Sequence, residues 1–195
     1  MKKRVMLLGM GVIGLILAGC IVPSIYPFYT DKDLVEEPAL VGTWISTNAE
    51  AKDPLIFSRV GEKEYRMVVK NGDGSTNEMS LHFFKLDGQL FMDWMAAQQK
   101  NDDAMYFVPT HMLGKISEIK PLLIVEELNY DFFTNLLEKD PKAIRHIKRY
   151  DPKDDSKEYI PVLTADTAEL QAFLRKNMSN TNLFSPPNDA MRKVK

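Results

Sequence analysis

The sequence has little cysteine: Cys20 is the single one among 195 residues. An internal disulfide is therefore impossible, and a folded domain must be held together by its apolar core. About 175 residues follow position 20, which is enough chain to bury such a core. The length favours one domain.

The sequence also lacks an excess of positive charge. Lysine and arginine number 25 against 27 aspartates and glutamates, a net charge of −2. Removal of Lys2, Lys3 and Arg4 with a leader would take this to about −5. Non-specific nucleic-acid binding needs a concentrated cationic surface, so we expect no nucleic-acid partner.

Catalytic and metal-binding motifs are missing as well. His82, His111 and His146 lie far apart without the spacing of metal ligands, and no G-x-S-x-G sequence is present. Glu126 and Glu127 are adjacent acids, but neighbouring residues of a strand point to opposite faces. The sequence therefore predicts a protein without catalytic residues, metal or cofactor.

The amino terminus carries the most specific pattern. Three basic residues precede the apolar run Val5–Leu17, and Leu17-Ala18-Gly19-Cys20 follows, a layout typical of a secretory signal peptide. The last four residues resemble the lipobox of bacterial lipoproteins. The resemblance implies that residues 1–19 are a signal peptide, cut between Gly19 and Cys20, and that the Cys20 thiol receives diacylglycerol. Fatty acylation of the new amine, commonly with palmitate, would make the membrane attachment stable. Ile21 after the cysteine implies sorting to the outer membrane in a Gram-negative cell.

This segment has two other interpretations. A transmembrane helix needs about 20 apolar residues, and Pro23 ends this run near the shortest plausible span. The glycines of Gly9–Gly14 fit G-x-G-x-x-G, but a dinucleotide site requires a strand, a helix and a second strand. Pro23 and Pro27 interrupt that helix, so the signal peptide is preferred.

Beyond residue 40 the pattern predicts short antiparallel strands. Apolar Tyr65, Met67 and Val69 alternate with polar neighbours, and Asp87-Gly88 is typical of a tight hairpin turn. The predicted strands are Leu40–Ser46, Leu55–Val60, Glu64–Lys70, Glu78–Leu86, Gln89–Met95, Met105–Val108, Gly114–Lys120, Leu122–Leu128 and Tyr159–Leu163. Eight or nine such strands suit a barrel or a sandwich.

Two helices are predicted against the outside or the open end of this β core. One covers Asn129–Lys139, with apolar residues four apart, and the other covers Thr167–Met178, capped by Asp166. We expect a lipidated N-terminal segment over 20–39, a single barrel-like domain over 40–180 and a flexible tail over 181–195.

Gly42-Thr43-Trp44 resembles the G-x-W motif of lipocalins. Together with Pro23-Ser24-Ile25-Tyr26-Pro27-Phe28-Tyr29-Thr30 and Asp33-Leu34, it is similar to a group of uncharacterised bacterial lipoproteins. The resemblance implies a mainly β, calycin- or lipocalin-like barrel with two or three peripheral helices, in which Gly42 permits a tight start and Trp44 closes the floor. A β-sandwich or an α+β fold is the alternative. The resemblance brings no known activity or binding residues.

Two groups of side chains suggest binding. Lys142, Arg145, His146, Lys148 and Arg149 are either a contact for anionic lipid head groups or a solvated charged face. Aromatic and methionine side chains of the strands either line an apolar pocket or fill a solid core: Tyr65, Met67, Phe83, Phe84, Phe91, Met92 and Trp94.

Our leading hypothesis is a non-catalytic, membrane-anchored lipoprotein of the cell envelope that binds an apolar small molecule or lipid in its barrel. The alternative is a protein-interaction lipoprotein with a filled core that supports envelope or secretion machinery. An apolar cavity of about 300 Å³ or more would favour the first.

Overall fold

A closed antiparallel barrel is the centre of the fold. The computed structural model describes residues 21–48, 53–70, 74–96, 108–150 and 158–194. The strands in these ranges are β1 Gly42–Ser46, β2 Leu55–Arg59, β3 Tyr65–Lys70, β4 Thr76–Leu86, β5 Gln89–Ala96, β6 Met112–Glu118, β7 Leu122–Glu127, β8 His146–Tyr150, β9 Tyr159–Leu163 and β10 Ala190–Lys193. The barrel order is β1-β10-β7-β6-β5-β4-β3-β2, and β8 and β9 form a separate pair. The predicted mainly β, calycin- or lipocalin-like barrel is confirmed.

The C-terminal end of the chain corrects one prediction. Residues 181–195 were expected to be a flexible tail, yet β10 pairs with both β1 and β7 and closes the barrel. The sequence Ala-Met-Arg-Lys has weak strand propensity of its own. It becomes a strand because the open edges of two neighbours offer a hydrogen-bonding ladder, and tertiary context overrides propensity.

The strand predicted over Tyr159–Leu163 is confirmed with its bounds, and the other predicted strands within the described residues differ by one or two residues at their ends. Two further places differ more. Strand β8 was not predicted, because its His-Ile-Lys-Arg-Tyr sequence was interpreted as a basic cluster. The strand predicted over Met105–Val108 falls largely outside the described residues, and Val108 itself is not in a strand.

Strand alternation divides the apolar residues of the barrel wall into two layers. The largest interior side chains are each at most 2 % exposed: Trp44, Phe57, Tyr65, Met67, Leu81, Phe83 and Trp94. Phe84 and Phe91 point outward and belong to a second core. Of the seven residues that were expected either to line a pocket or to fill a core, five therefore point inward and two outward.

The second core lies between the outside of β4–β6 and the helices. Helix α1, Tyr130–Lys139, buries Phe133 and Leu137, and α2, Thr167–Asn177, buries Leu170, Phe173 and Leu174. Asn129 caps α1 and Asp166 caps α2 through their side-chain oxygens. The prediction that both helices cover the barrel is confirmed, and they cover its outside.

Candidate functional site

Gly42 and Trp44 lie at the end of the barrel where β1 begins. The Trp44 indole Nε1 donates a hydrogen bond to the carbonyl of Leu40, at 2.8 Å, in the 3₁₀ turn Pro38–Leu40. Lys193 of β10 covers the same end, since its Nζ donates to the Ala39 carbonyl at 2.7 Å and lies 5.5 Å from the centre of the Trp44 ring. Trp44 is buried among the interior side chains.

A small cavity lies at the opposite end, where β1 and β7 end and β2 and β10 begin. It has a volume of about 70 Å³. Its lining is mostly apolar but includes the three acids Asp53, Glu127 and Asp189. The complete lining is Ser46, Asp53, Leu55, Met67, Met92, Val125, Glu127, Pro186, Asn188, Asp189 and Met191. We call this the mouth cavity.

Glu127 enters the mouth cavity because of the alternation of β7. Leu123 and Val125 belong to the interior cluster, so Glu127, two residues further, also points inward. Glu126 points outward and forms an ion pair with Lys115 at 2.7 Å. The two glutamates diverge as the sequence predicted, and one of them becomes a cavity residue.

The mouth cavity places carboxyl groups in an unfavourable setting. Burial raises the pKa of Glu127 from 4.5 to about 7, because desolvation disfavours the charged form. Asp189 accepts a hydrogen bond from the Ala190 backbone through Oδ1, whereas its Oδ2 is buried and has no hydrogen-bond partner within the described part of the chain. Two acids here thus retain unused capacity to bind a donor.

A second polar cluster lies on the outer face of the barrel, beneath the N-terminal segment 21–34. Asp93 of β5 is buried, accepts a hydrogen bond from the Phe28 backbone at 2.9 Å and pairs with His111 Nδ1 at 2.7 Å. Burial raises the pKa of Asp93, while the hydrogen bond from His111 opposes that rise. Asp93 therefore ties the N-terminal segment to the barrel wall.

His82 lies beside this cluster. It is opposite Asp93 in the β4–β5 ladder, and its Nδ1 is 3.0 Å from the Tyr29 hydroxyl. Burial lowers the pKa of His82 and raises that of Tyr29 to about 12. His82 and His111 are 29 positions apart in the sequence, so the cluster was not predicted. A two-residue turn at Asp87-Gly88 does, however, place position 82 opposite position 93. The register of this hairpin therefore predicts that His82 and Asp93 are neighbours, but it does not predict His111 or Tyr29 beside them.

Ser24, His111 and Asp93 lie close together but are not arranged for nucleophilic catalysis. Ser24 pairs with His111 through both backbones, at 2.8 and 2.7 Å, and its hydroxyl accepts from the Tyr26 backbone. A nucleophile must be reached by its substrate and hydrogen-bonded to its base. Ser24 is fully buried, so the cluster is suited to fastening the N-terminal segment.

The basic cluster predicted between residues 142 and 149 is partly neutralised. Arg145 pairs with Asp166 and Glu169 of the α2 N-terminus, and Lys148 lies 4.2 Å from the centre of the Tyr159 ring. Gly19 and Cys20 lie outside the described residues.

Across the ranges that the structure describes, no three histidine, cysteine or acidic side chains are grouped so that they could hold a metal ion. No helix in these ranges is long and apolar enough to cross a bilayer.

The fold and the mouth cavity together define a closed eight-stranded antiparallel barrel of lipocalin-like type, compatible with a ligand-binding barrel domain. Comparison of the chain with protein-family models, with curated proteins and with solved structures found no match.

Proposed function

We propose that the chain is a non-catalytic lipoprotein, anchored to the cell envelope through lipid on Cys20, whose filled barrel is a scaffold for a protein-interaction surface. The observation that carries this proposal is the packing of the barrel interior. Large side chains meet there at 2 % exposure or less, and the mouth cavity of about 70 Å³ is well below the roughly 300 Å³ of usual ligand pockets.

The interaction surface that we favour is the outer edge of β8. Within the described part of the chain β8 pairs with β9 alone, so its other edge presents free backbone donors and acceptors. Ile147 is 55 % and Tyr150 54 % exposed. Lys148 and Arg149 lie between them and are exposed. This edge suits an extended partner segment with acidic and aliphatic side chains, added as a further strand.

The N-terminal segment connects this surface to the proposed anchor. Pro23 and Ile25 form backbone hydrogen bonds with Leu163 of β9, at 2.8 and 2.9 Å. The chain that follows Cys20 is thereby fixed beside the hairpin, and a lipid anchor would hold the β8 edge at a set distance from the bilayer surface.

Site-specific photocrosslinking in cells tests the interaction. A photoreactive residue at Ile147 or Tyr150 should yield a defined adduct with an envelope protein. Val60, which is 52 % exposed and directly follows β2, is the matched control and should yield none. Equal crosslinking from positions 60 and 147 would contradict the proposal.

The anchor is tested separately with Cys20→Ser. We expect this variant to lack the mass of the lipid and to leave the membrane fraction or remain unprocessed. Membrane extraction and mass identical to those of the unchanged protein would contradict anchoring through Cys20.

A second candidate function is the binding of a small molecule, and the mouth cavity with its apolar wall favours it. Native mass spectrometry of the full chain released from detergent should then show a small adduct that is lost on activation. A mass without any adduct would count against this function, and it would leave the proposed interaction surface at the edge of β8 unaffected.

A further inference from the structure

The walls of the mouth cavity combine an apolar slot with acids and lack a base. Leu55, Met67, Met92, Val125 and Met191 provide the apolar surface. Asp53, Glu127 and Asp189 provide three carboxyl groups, and no lysine, arginine or histidine is among the described residues that line it. The cavity is therefore complementary to a positive charge at the end of an apolar stem.

The acids of the cavity are not explained by the needs of folding. Neighbouring Glu126 shows how this barrel accommodates a glutamate at low cost, by pointing it outward to Lys115 at 2.7 Å. Glu127 has no hydrogen-bond or ion-pair partner in the described part of the chain. Asp189 Oδ2 is a buried acceptor to which no described residue donates. A buried acceptor without a donor costs free energy, and a native protein retains one where a water, an ion or a ligand satisfies it.

We propose that the mouth cavity binds an alkylammonium group, with the ammonium between Glu127 and Asp189 and the carbon stem along Met67 and Met92. This inference rests on the second candidate function and names its ligand class. The cavity volume of about 70 Å³ is several times the roughly 10–15 Å³ that one water molecule needs, so the cavity admits a small group of a few heavy atoms. A chain of four carbons ending in an ammonium fits that size.

An ammonium also suits the cavity better than the other cations. A metal ion needs several converging ligands, and the described residues provide no group of three for one. Thioether and aliphatic walls satisfy an alkyl stem but not the hydration shell of a metal ion. Three ammonium protons can be shared between two carboxylates, each forming a charge-assisted hydrogen bond.

Binding should depend on pH in a defined direction. The charged groups that share the cavity with Glu127 are Asp53, before β2, and Asp189, before β10, while β3 and β5 contribute the uncharged Met67 and Met92. An ammonium prefers an ionised Glu127, so its affinity should rise as the pH is increased from 6 to 8. A neutral ligand of the same shape should show no such rise.

The experiment uses methyl NMR of the full chain in detergent micelles, labelled with ¹³C at the methionine methyl groups. The signals of Met67 and Met92 are assigned with Met→Leu variants and followed during titration with n-butylammonium chloride. 1-Butanol is the neutral control of matched length. We expect both signals to shift with butylammonium at pH 8 and not with 1-butanol, and Glu127→Gln to weaken binding about tenfold or more.

The matched variant and a second ligand complete the test. Glu126→Gln, on the opposite face of the same strand, should bind butylammonium as the unchanged protein does. Nα-acetyl-lysine N-methylamide carries the same ammonium on a peptide. Tighter binding of this compound assigns the site to a lysine side chain of a peptide, and weaker or equal binding assigns it to a free amine.

Three results would overturn the inference. Binding of 1-butanol as strong as that of butylammonium, or unchanged binding by Glu127→Gln, would refute the cationic ligand but keep the small-molecule function. Unshifted Met67 and Met92 signals with both compounds at millimolar concentration would also refute the inference, while the small-molecule function itself would still be decided by the native mass spectrometry.

Discussion

Replacement of Glu127 by glutamine should stabilise the folded chain, and only above acidic pH. Burial raises the pKa of Glu127 from 4.5 to about 7, so between these values the folded chain holds a proton that the unfolded chain has lost. The stability linked to this proton is complete below pH 4.5 and is lost as the pH rises through 7. A pKa difference of roughly 2.5 corresponds to about 3 kcal/mol. A glutamine side chain is neutral at every pH, so the Glu127→Gln variant does not lose this stability as the pH rises.

The measurement is urea unfolding of both proteins at pH 4.5, 6 and 8, followed by tryptophan fluorescence. Trp44 and Trp94 are both in the barrel interior and report on its opening. The variant should match the unchanged protein at pH 4.5 and exceed its free energy of unfolding by up to about 3 kcal/mol at pH 8. Glu126→Gln is the control and should be destabilised by about 1–3 kcal/mol, because it breaks an ion pair with Lys115 in which the two side chains are only 20 % and 23 % exposed. A Glu127→Gln difference that is the same at all three pH values would refute the reasoning.

Three further predictions test the architecture. Deletion of residues 190–195 should lower the free energy of unfolding in urea by about 5 kcal/mol or more, because an open barrel exposes two strand edges. An unchanged urea midpoint would instead support the prediction that this segment is a flexible tail. Asp93→Ala should cost about 3 kcal/mol by removing the acceptor for the backbone and for His111, and Asp93→Asn, which keeps an acceptor, should cost less; equal losses would argue against this role. Gly42→Ala should cost more than Gly88→Ala, about 3 against 1 kcal/mol. Gly42 has a φ of 135°, far from the left-handed region that a residue with a Cβ can adopt, whereas Gly88 has a φ of 85°, close to that region. The flexible Lys193 side chain near the added Cβ of position 42 can move aside, so the difference is one of backbone conformation, and thermal unfolding of the two variants measures it.

The barrel could be predicted because its information is local. Period-two alternation and the Asp87-Gly88 turn fixed strand positions, faces and one register, as in the pairing of Leu86 with Gln89. The inward direction of Glu127 follows from the same alternation once Leu123 and Val125 are placed. Its position in the mouth cavity, which Asp189 also lines, does not follow, because the cavity brings together residues more than 60 positions apart.

The missed elements share a different cause. Strands β8 and β10 are short and polar, and each exists because a partner strand supplies its hydrogen bonds. The Asp93 cluster depends on His111 and on the N-terminal segment, which meet β5 only in the folded chain. No window of local sequence contains both halves of these contacts, so periodicity cannot detect them.

The two layers of the wall restrict where this barrel can bind anything. On β4 and β5 the inward side chains, Phe83 and Trp94 among them, fill the interior, while the outward Phe84 and Phe91 hold the helices. Enlarging the interior for an apolar ligand would remove packed side chains at about 2–5 kcal/mol each. Shifting these strands outward instead would disrupt the second core. Among the described residues, binding is thereby directed to places that neither layer occupies, such as the mouth cavity and the edge of β8 that faces away from β9, and neither requires a change in the wall.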